Sequence, residues 1–429
     1  MTDVVRAGTA TRRVDARPQP TDHAAIERTV DDLPVRGALP AGLDGRFLLV
    51  ARAARTGDDP AHPSVTAMVH EVRIAGGRAH LRSRRIPHDG PPAPADGLVE
   101  HAGRLLALGA HARPVLLDDS LVPTGDDAVG ATGGSGAHAH VDPVWDELLL
   151  VAADPRGAGL NVTTLDVRGR VRRTVEVADA GLRFLHDFAV TDAHVVVIDS
   201  GAVEDASGIH WDPTVPARIG LLDRTGEASE PVWFTVAPRF VWHLVNAYEC
   251  DGEVVVDHIA HRPPGAGVPG PAPVPSASVP ALCRTVVDPR TGEVRDEVLD
   301  DRSVEHPVID PTRTGLHHRV VYASLAGGPS VAHAGDFVGL VRYDLRDGSA
   351  TEHRFADSGT VVAPAFARRA GSTGEDDGWV LALVTDHATG TTRLVVLDPR
   401  TFDRGPVAEV VLPAMVPGGE HSVWMAAEA

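Results

Sequence analysis

Aliphatic and aromatic residues fall in short runs along almost the whole chain, separated by breaks rich in Gly, Asp and Pro. The stretch Phe240 to His258, FVWHLVNAYECDGEVVVDH, shows the unit most clearly. Its apolar run ends near Glu249, Asp251-Gly252 supplies a tight turn, and Val254, Val255 and Val256 begin the return. This pattern predicts a β-hairpin, because β-branched and aromatic side chains suit strands and Asp-Gly suits a two-residue turn. Further hairpins are predicted across Gly76-Gly77, within Gly103 to Asp119, and at Arg290-Thr291-Gly292, Asp347-Gly348 and Thr389-Gly390. No helical periodicity extends beyond a turn or two.

Three hairpins share one more feature. HAHVDPVWDELLLVAAD from His138, HDFAVTDAHVVVIDS from His186 and the stretch around His243 each place a histidine before the turn and an aliphatic run ending in Asp after it. A recurring hairpin with a histidine at one place suggests radial repetition, with imidazoles pointing at a common centre. A blade takes about 40–50 residues, so about seven blades fit. The expected fold is therefore all-β, a single seven-bladed β-propeller over residues 33–429, with a pair of β-sandwiches as the alternative. Residues 1–32 are polar and read as a flexible tail. Residues 262–281, RPPGAGVPGPAPVPSASVPA, are too rich in proline for a central strand and read as a surface loop.

Composition narrows the function classes. At 429 residues with 43% hydrophobic content the chain can bury a substantial core, and the net charge of −19 disfavours nucleic acid as a partner. Every cation is arginine, since the sequence has no lysine. Two cysteines, Cys250 and Cys283, make no disulfide framework and fit a reducing cytoplasm. No secretory signal is evident at the N-terminus, and no apolar run reaches the roughly 20 residues of a membrane span. Peripheral membrane contact is left open.

A fourth histidine, His421, stands in VPGGEHSVWM, so that His138, His186, His243 and His421 follow one another at 48, 57 and 178 residues. Intervals of about one blade, then several, suit ligands placed around a ring rather than along one helix. Imidazole-only ligation suits iron, copper, zinc or nickel. Iron(II) with open positions would bind O2, whereas zinc would acidify a bound water for hydrolysis. His140 competes with His138, because two residues on along a strand the side chain points to the same face. The chain has 22 histidines, and buried ones are often simply hydrogen-bonded, so spacing alone leaves these readings open.

At these residues the chain resembles the carotenoid cleavage oxygenase (carotenoid/retinal pigment epithelial membrane protein) family. Seven islands carry the resemblance in order: AHAHVDP, FLHDFAVTDAHVVVID, ARIGLLDRTG, VWHLVNAYE, EHPVIDPTRTGLHHRVVYA, EDDGWVLALVTD and VPGGEHSVWM. The resemblance implies a seven-bladed propeller with loops capping the metal-bearing face. It further implies an iron(II) ion held by His138, His186, His243 and His421, with His138 favoured over His140 by its place before Val-Asp-Pro. The implied reaction adds O2 across one double bond of an apolar polyene or stilbene-like substrate, giving two carbonyl products. No protein acid, base or nucleophile is needed beyond the metal.

The chain departs from the family pattern at the residues behind the ligands. Three of the family's four histidines donate to a glutamate, and such partners fix tautomer and ring orientation. Here only Glu305 is evident, while Ala110 and Ala363 occupy the other two positions. The absence of lysine removes the lysine–tyrosine device by which stilbene-cleaving relatives hold a phenol, so an apocarotenoid-like substrate is expected, with a stilbene or phenylpropanoid as the alternative. A catalytically impaired propeller that binds an apolar ligand is the second alternative. Trp145, Trp211, Trp242, Phe184 and Phe240 lie near the histidine motifs, where they line a tunnel or belong to the core.

Overall fold

The computed structural model describes residues 26–54, 65–86, 96–110, 112–125, 136–153, 159–177, 181–182, 184–205, 208–225, 230–262, 272–273, 279–328, 337–355, 359–361, 364–416 and 421–427. Seven antiparallel sheets of four to six strands form the blades of a β-propeller, and a three-stranded sheet lies outside them. Among the described residues helical structure is confined to 3-10 turns such as Pro311–Arg313 and Pro399–Arg404. Blades two to six follow the chain as successive meanders, beginning with strands Gly97–His101, Ala139–Asp142, Phe188–Val190, Phe240–Cys250 and Val304–Val308.

The predicted hairpins form for the expected reason. Asp251 and Gly252 have φ of 53° and 82°, and Gly76 and Gly77 have 54° and 75°, the doubly left-handed turn whose twist matches paired strands. Within a blade the strands grow more polar outward. Glu253–Arg262, EVVVDHIAHR, is buried on both faces, whereas Val294–Asp300, VRDEVLD, at the edge of the same sheet is largely exposed. A strand sandwiched between two neighbouring blades must be apolar on both sides, which is why the runs read as continuous rather than alternating.

The core is distributed between blades. Alternate residues of strand Gly45–Ala54 serve different interfaces, with Phe47 and Leu49 packing with Trp379 and Leu381 of the seventh blade. Leu48 and Val50 face the other way, onto Leu105 and Ala107 of the second. The two ends of the chain close the ring. His421–Ala426 pairs with Gly45–Ala54 in the first blade, and Val35–Gly37 pairs with Ala408–Val411 in the seventh.

Two sequence expectations need correction. The tail assigned to residues 1–32 ends earlier, because Arg28–Val30 pairs with Arg78–Ile86 and Asp32 is hydrogen-bonded by Arg78. Residues 1–25 lie outside the described residues. The Pro-rich segment 262–281 is also shorter than expected: Arg262 still pairs with Val279, and Ala272–Pro273 pairs with Gly208–Trp211. Pro280 sits in an inner strand after all, opposite His261. It is tolerated because the next strand out begins pairing only at Leu282, so no neighbour asks for the missing N–H.

Candidate metal centre

His138, His186, His243 and His421 come together at one end of the propeller axis, with one ring nitrogen from each lying within 4.8 Å of all the others. They come from four blades. His138 immediately precedes the first strand of the third blade and His186 lies two residues before that of the fourth, His243 lies in the first strand of the fifth, and His421 opens the strand that closes the first. Their ring centroids stand 4.2 to 5.9 Å apart. The Nε2 atoms of His138 and His186 are 3.3 Å apart. Two nitrogens bonded to one ion at about 2.1 Å sit about 3.0–3.4 Å apart for right-angled to tetrahedral arrangements, so this spacing fits shared ligation. His421 Nε2 is buried without a hydrogen-bond partner among the described residues, which an ion would supply. Four neutral imidazoles suit a divalent transition metal and leave its charge intact.

The rings are held uncharged. Burial drives the His138 and His421 imidazoles well below their usual range, and neighbouring histidines push the same way. His186 is lowered to about 4, again chiefly by burial. Neutral imidazoles are the form that binds metal.

Glu305, in the first strand of the sixth blade, stands behind His243. Its Oε2 lies 2.5 Å from His243 Nδ1 and its Oε1 2.5 Å from His261 Nε2, and Oε2 also accepts the His306 backbone N–H at 2.9 Å. Burial pushes this carboxyl up, but His243 and the two imidazole hydrogen bonds hold it well below the usual carboxylate range. The ionised carboxylate fixes the proton on His243 Nδ1 and turns Nε2 inward.

At the other two positions the sequence has Ala110 and Ala363, whose side chains carry no carboxylate. Ala110 donates its backbone N–H to Asp96 Oδ2 at 2.7 Å, and the Asp96 charge raises the His186 pKa against the effect of burial. Ala363 lies outside the described residues. His140 turns away from the cluster: its Nε2 is 3.2 Å from Asp187 Oδ1 and its ring meets Phe188 edge-on. Asp187 also receives the backbone N–H groups of Phe188 and Leu244, tying the fourth blade to the fifth beside the site. His261, His306 and Asp187 were not picked out from the sequence. Only Asp187 carried a signal, as the residue following His186.

A cavity of about 490 Å³ is lined by His138, His243 and His421 of the four histidines, with apolar walls that include Leu98, Val245, Ile309 and Val423 and polar edges from His140 and His306. The aromatic residues divide. Trp145 is 52% exposed and donates to Asp192, so it lines nothing. Trp242 meets His186 edge-on at 4.9 Å and stacks into a cluster with Phe184 and Phe240. Trp211, from the three-stranded sheet outside the blades, packs on Phe240.

Comparison with known proteins agrees with this arrangement. The sequence pattern of the family described as "Retinal pigment epithelial membrane protein" matches residues 95–426. The chain is 29% identical to a carotenoid cleavage oxygenase of Mycobacterium tuberculosis, over 93% of this chain and 95% of that one. It superimposes on cobalt-substituted Synechocystis apocarotenoid oxygenase with a TM-score of 0.83 at 23% identity, covering 94% and 97% of the two chains. Pseudomonas brassicacearum lignostilbene dioxygenase gives 0.82 at 24% identity, covering 96% and 100%.

Proposed function

The chain belongs to the retinal pigment epithelial membrane protein family, and from that premise we propose that it is a non-haem Fe(II)-dependent dioxygenase. It cleaves a carbon–carbon double bond of an apolar, apocarotenoid-like polyene with O2 and releases two carbonyl products. The observation that carries this reading is the convergence of four imidazoles from four blades on one point. His138, His186, His243 and His421 are the ligands, and Glu305 orients His243. When bound, iron(II) supplies the activation of O2 that no protein side chain here offers.

The chain's own residues do the rest. Glu305 keeps the His243 proton on Nδ1, so that Nε2 presents a lone pair. Burial keeps the other imidazoles neutral. The apolar walls of the cavity exclude water and hold an extended substrate so that one double bond faces the metal, and position sets which bond is cut. The partners are an apolar small molecule and O2. Among the described residues no helix is long and apolar enough to cross a membrane. We place the protein in the cytoplasm on its two free cysteines. A stilbene substrate is the second reading, favoured by the likeness to the lignostilbene dioxygenase.

Anaerobic reconstitution with Fe(II), followed by product mass analysis with β-apocarotenals and resveratrol under labelled oxygen, tests both readings. The expected result is about one iron per chain and two labelled carbonyl fragments. A protein that holds iron no better than its His186→Ala variant overturns the proposal.

A further inference from the structure

Strand Val304–Val308 carries a one-residue irregularity where it meets the metal centre. Glu305 pairs with Ser324 but Val308 pairs with Tyr322, so this strand advances three residues while its partner advances two. His306 occupies the extra position with φ of 52°. Successive side chains of an unbroken strand point to opposite faces. Here both turn toward His243: Glu305 hydrogen-bonds its Nδ1, and the His306 ring lies 5.3 Å from the His243 ring, centroid to centroid. The His306 N–H donated to Glu305 Oε2 at 2.9 Å holds the bulge in place. Bulges beside active sites commonly re-aim a side chain, and a left-handed residue other than glycine persists only where its surroundings enforce it.

The ring so aimed is polar. His306 lines the cavity with His138, His243 and His421, and its Nδ1 is buried with no hydrogen-bond partner among the described residues. A neutral imidazole carries one N–H and one bare nitrogen. Burying the bare nitrogen unpaired costs less than burying an orphaned N–H, which assigns the proton to Nε2. Several other polar groups of the same wall are engaged. Asn246 Nδ2 donates to the carbonyls of Arg313 and Leu316 and its Oδ1 accepts from Gly315, the Thr312 hydroxyl donates to Asp310, and His140 Nε2 meets Asp187.

Resting on the function proposed above, we infer that His306 is a substrate-positioning residue. Its Nε2–H donates to a hydroxyl or carbonyl oxygen that the substrate carries within the width of one aromatic ring from the cleaved double bond. The substrate is therefore an oxygenated alkene, and His306 selects it against the hydrocarbon of the same shape. In a chain without lysine, this imidazole is a donor that the described residues offer beside the metal site.

The test uses the full chain loaded anaerobically with Co(II), its uptake followed by visible absorption, and reads ligand binding by quenching of tryptophan fluorescence. The probes are 4-hydroxystilbene and unsubstituted stilbene. Wild-type protein should prefer the hydroxylated probe about tenfold, the worth of one hydrogen bond to a buried neutral donor. His306→Phe keeps the ring without the donor, and His306→Gly accepts the left-handed backbone freely, so misfolding cannot explain a result common to both. Both variants should bind stilbene within about twofold of wild type and lose the preference. A wild-type protein without the preference, or variants that retain it, overturns the inference while leaving the metal centre standing. Failure of wild-type protein to take up cobalt sinks the metal-centre reading and this one with it.

Discussion

Around His243 the site is built from ionic hydrogen bonds: His261 and His243 both clasp Glu305, and a backbone amide completes the carboxylate's shell. Around His186 the described residues offer Asp96, a carboxylate engaged by the Ala110 amide and felt by the ring as charge. The first side fixes direction through hydrogen bonds to His243, and on the second the charges of Asp187 and then Asp96 raise the His186 pKa. Direction decides where a lone pair points, so the His243 side serves as the anchor and the His186 side adjusts to whatever ion is bound.

Replacing the anchor should have the largest effect. Glu305→Gln is expected to weaken Co(II) or Fe(II) binding by about 10–100-fold, the usual consequence of losing a carboxylate behind a metal-bound imidazole. Asp96→Asn should weaken it only about two- to threefold, because Asp187 acts on His186 more strongly than Asp96 does and stays in place in this variant. Competition titration against a chelator of known affinity measures both. Equal losses in the two variants would mean that the sides are not functionally distinct.

Acid should separate them next. His186, His70 and His258 are each lowered from 6.5 to about 4, chiefly by burial. The unfolded chain therefore binds protons first, and stability falls as pH drops from about 6.5 toward 4. Each such group contributes up to about 3 kcal/mol across that window. Glu305 behaves oppositely in position: its depressed pKa means that its contribution persists above the unfolded value of 4.5 and disappears only as pH falls through the lower folded value. Urea unfolding of metal-free wild-type and Glu305→Gln proteins should accordingly give parallel stability losses from pH 6.5 to about 4.5. Curves that already converge within that window would show Glu305 titrating with the histidines.

The contrast also explains what could be read from the chain. Hairpins and blade number were legible because they rest on short apolar runs, tight Asp-Gly and Gly-Gly turns and recurrence at blade intervals, whereas the four histidines needed the family resemblance as well as their spacing. Ring closure was not, since the pairing of His421–Ala426 with Gly45–Ala54 joins segments nearly a chain length apart and leaves no local signature. His261 and His306 were hidden for a different reason. His261 ends an aliphatic strand that would read the same with any residue there, and His306 faces the site only because a bulge breaks the period of two. Pro280 misled because the prohibition on proline concerns paired edges, and its own outer edge is unpaired.

The smallest expected effect bears most directly on the comparison. If the His186 side is weak only because Ala110 supplies no carboxylate, Ala110→Glu should strengthen metal binding by about two- to fivefold, part of the usual worth of such a partner. The gain should be incomplete because Asp96 Oδ2 already sits at the Ala110 amide, and two carboxylates so close oppose each other's ionisation. Pairing Ala110→Glu with Asp96→Asn removes that opposition and should enlarge the gain, and the gain should fade in the double variant only at a lower pH than in the single one. Should both proteins bind metal no better than wild type across that range, the missing glutamate is not what distinguishes the two sides. The anchor would then lie in the His261–Glu305–His243 chain itself, and His261→Gln would become the substitution that matters.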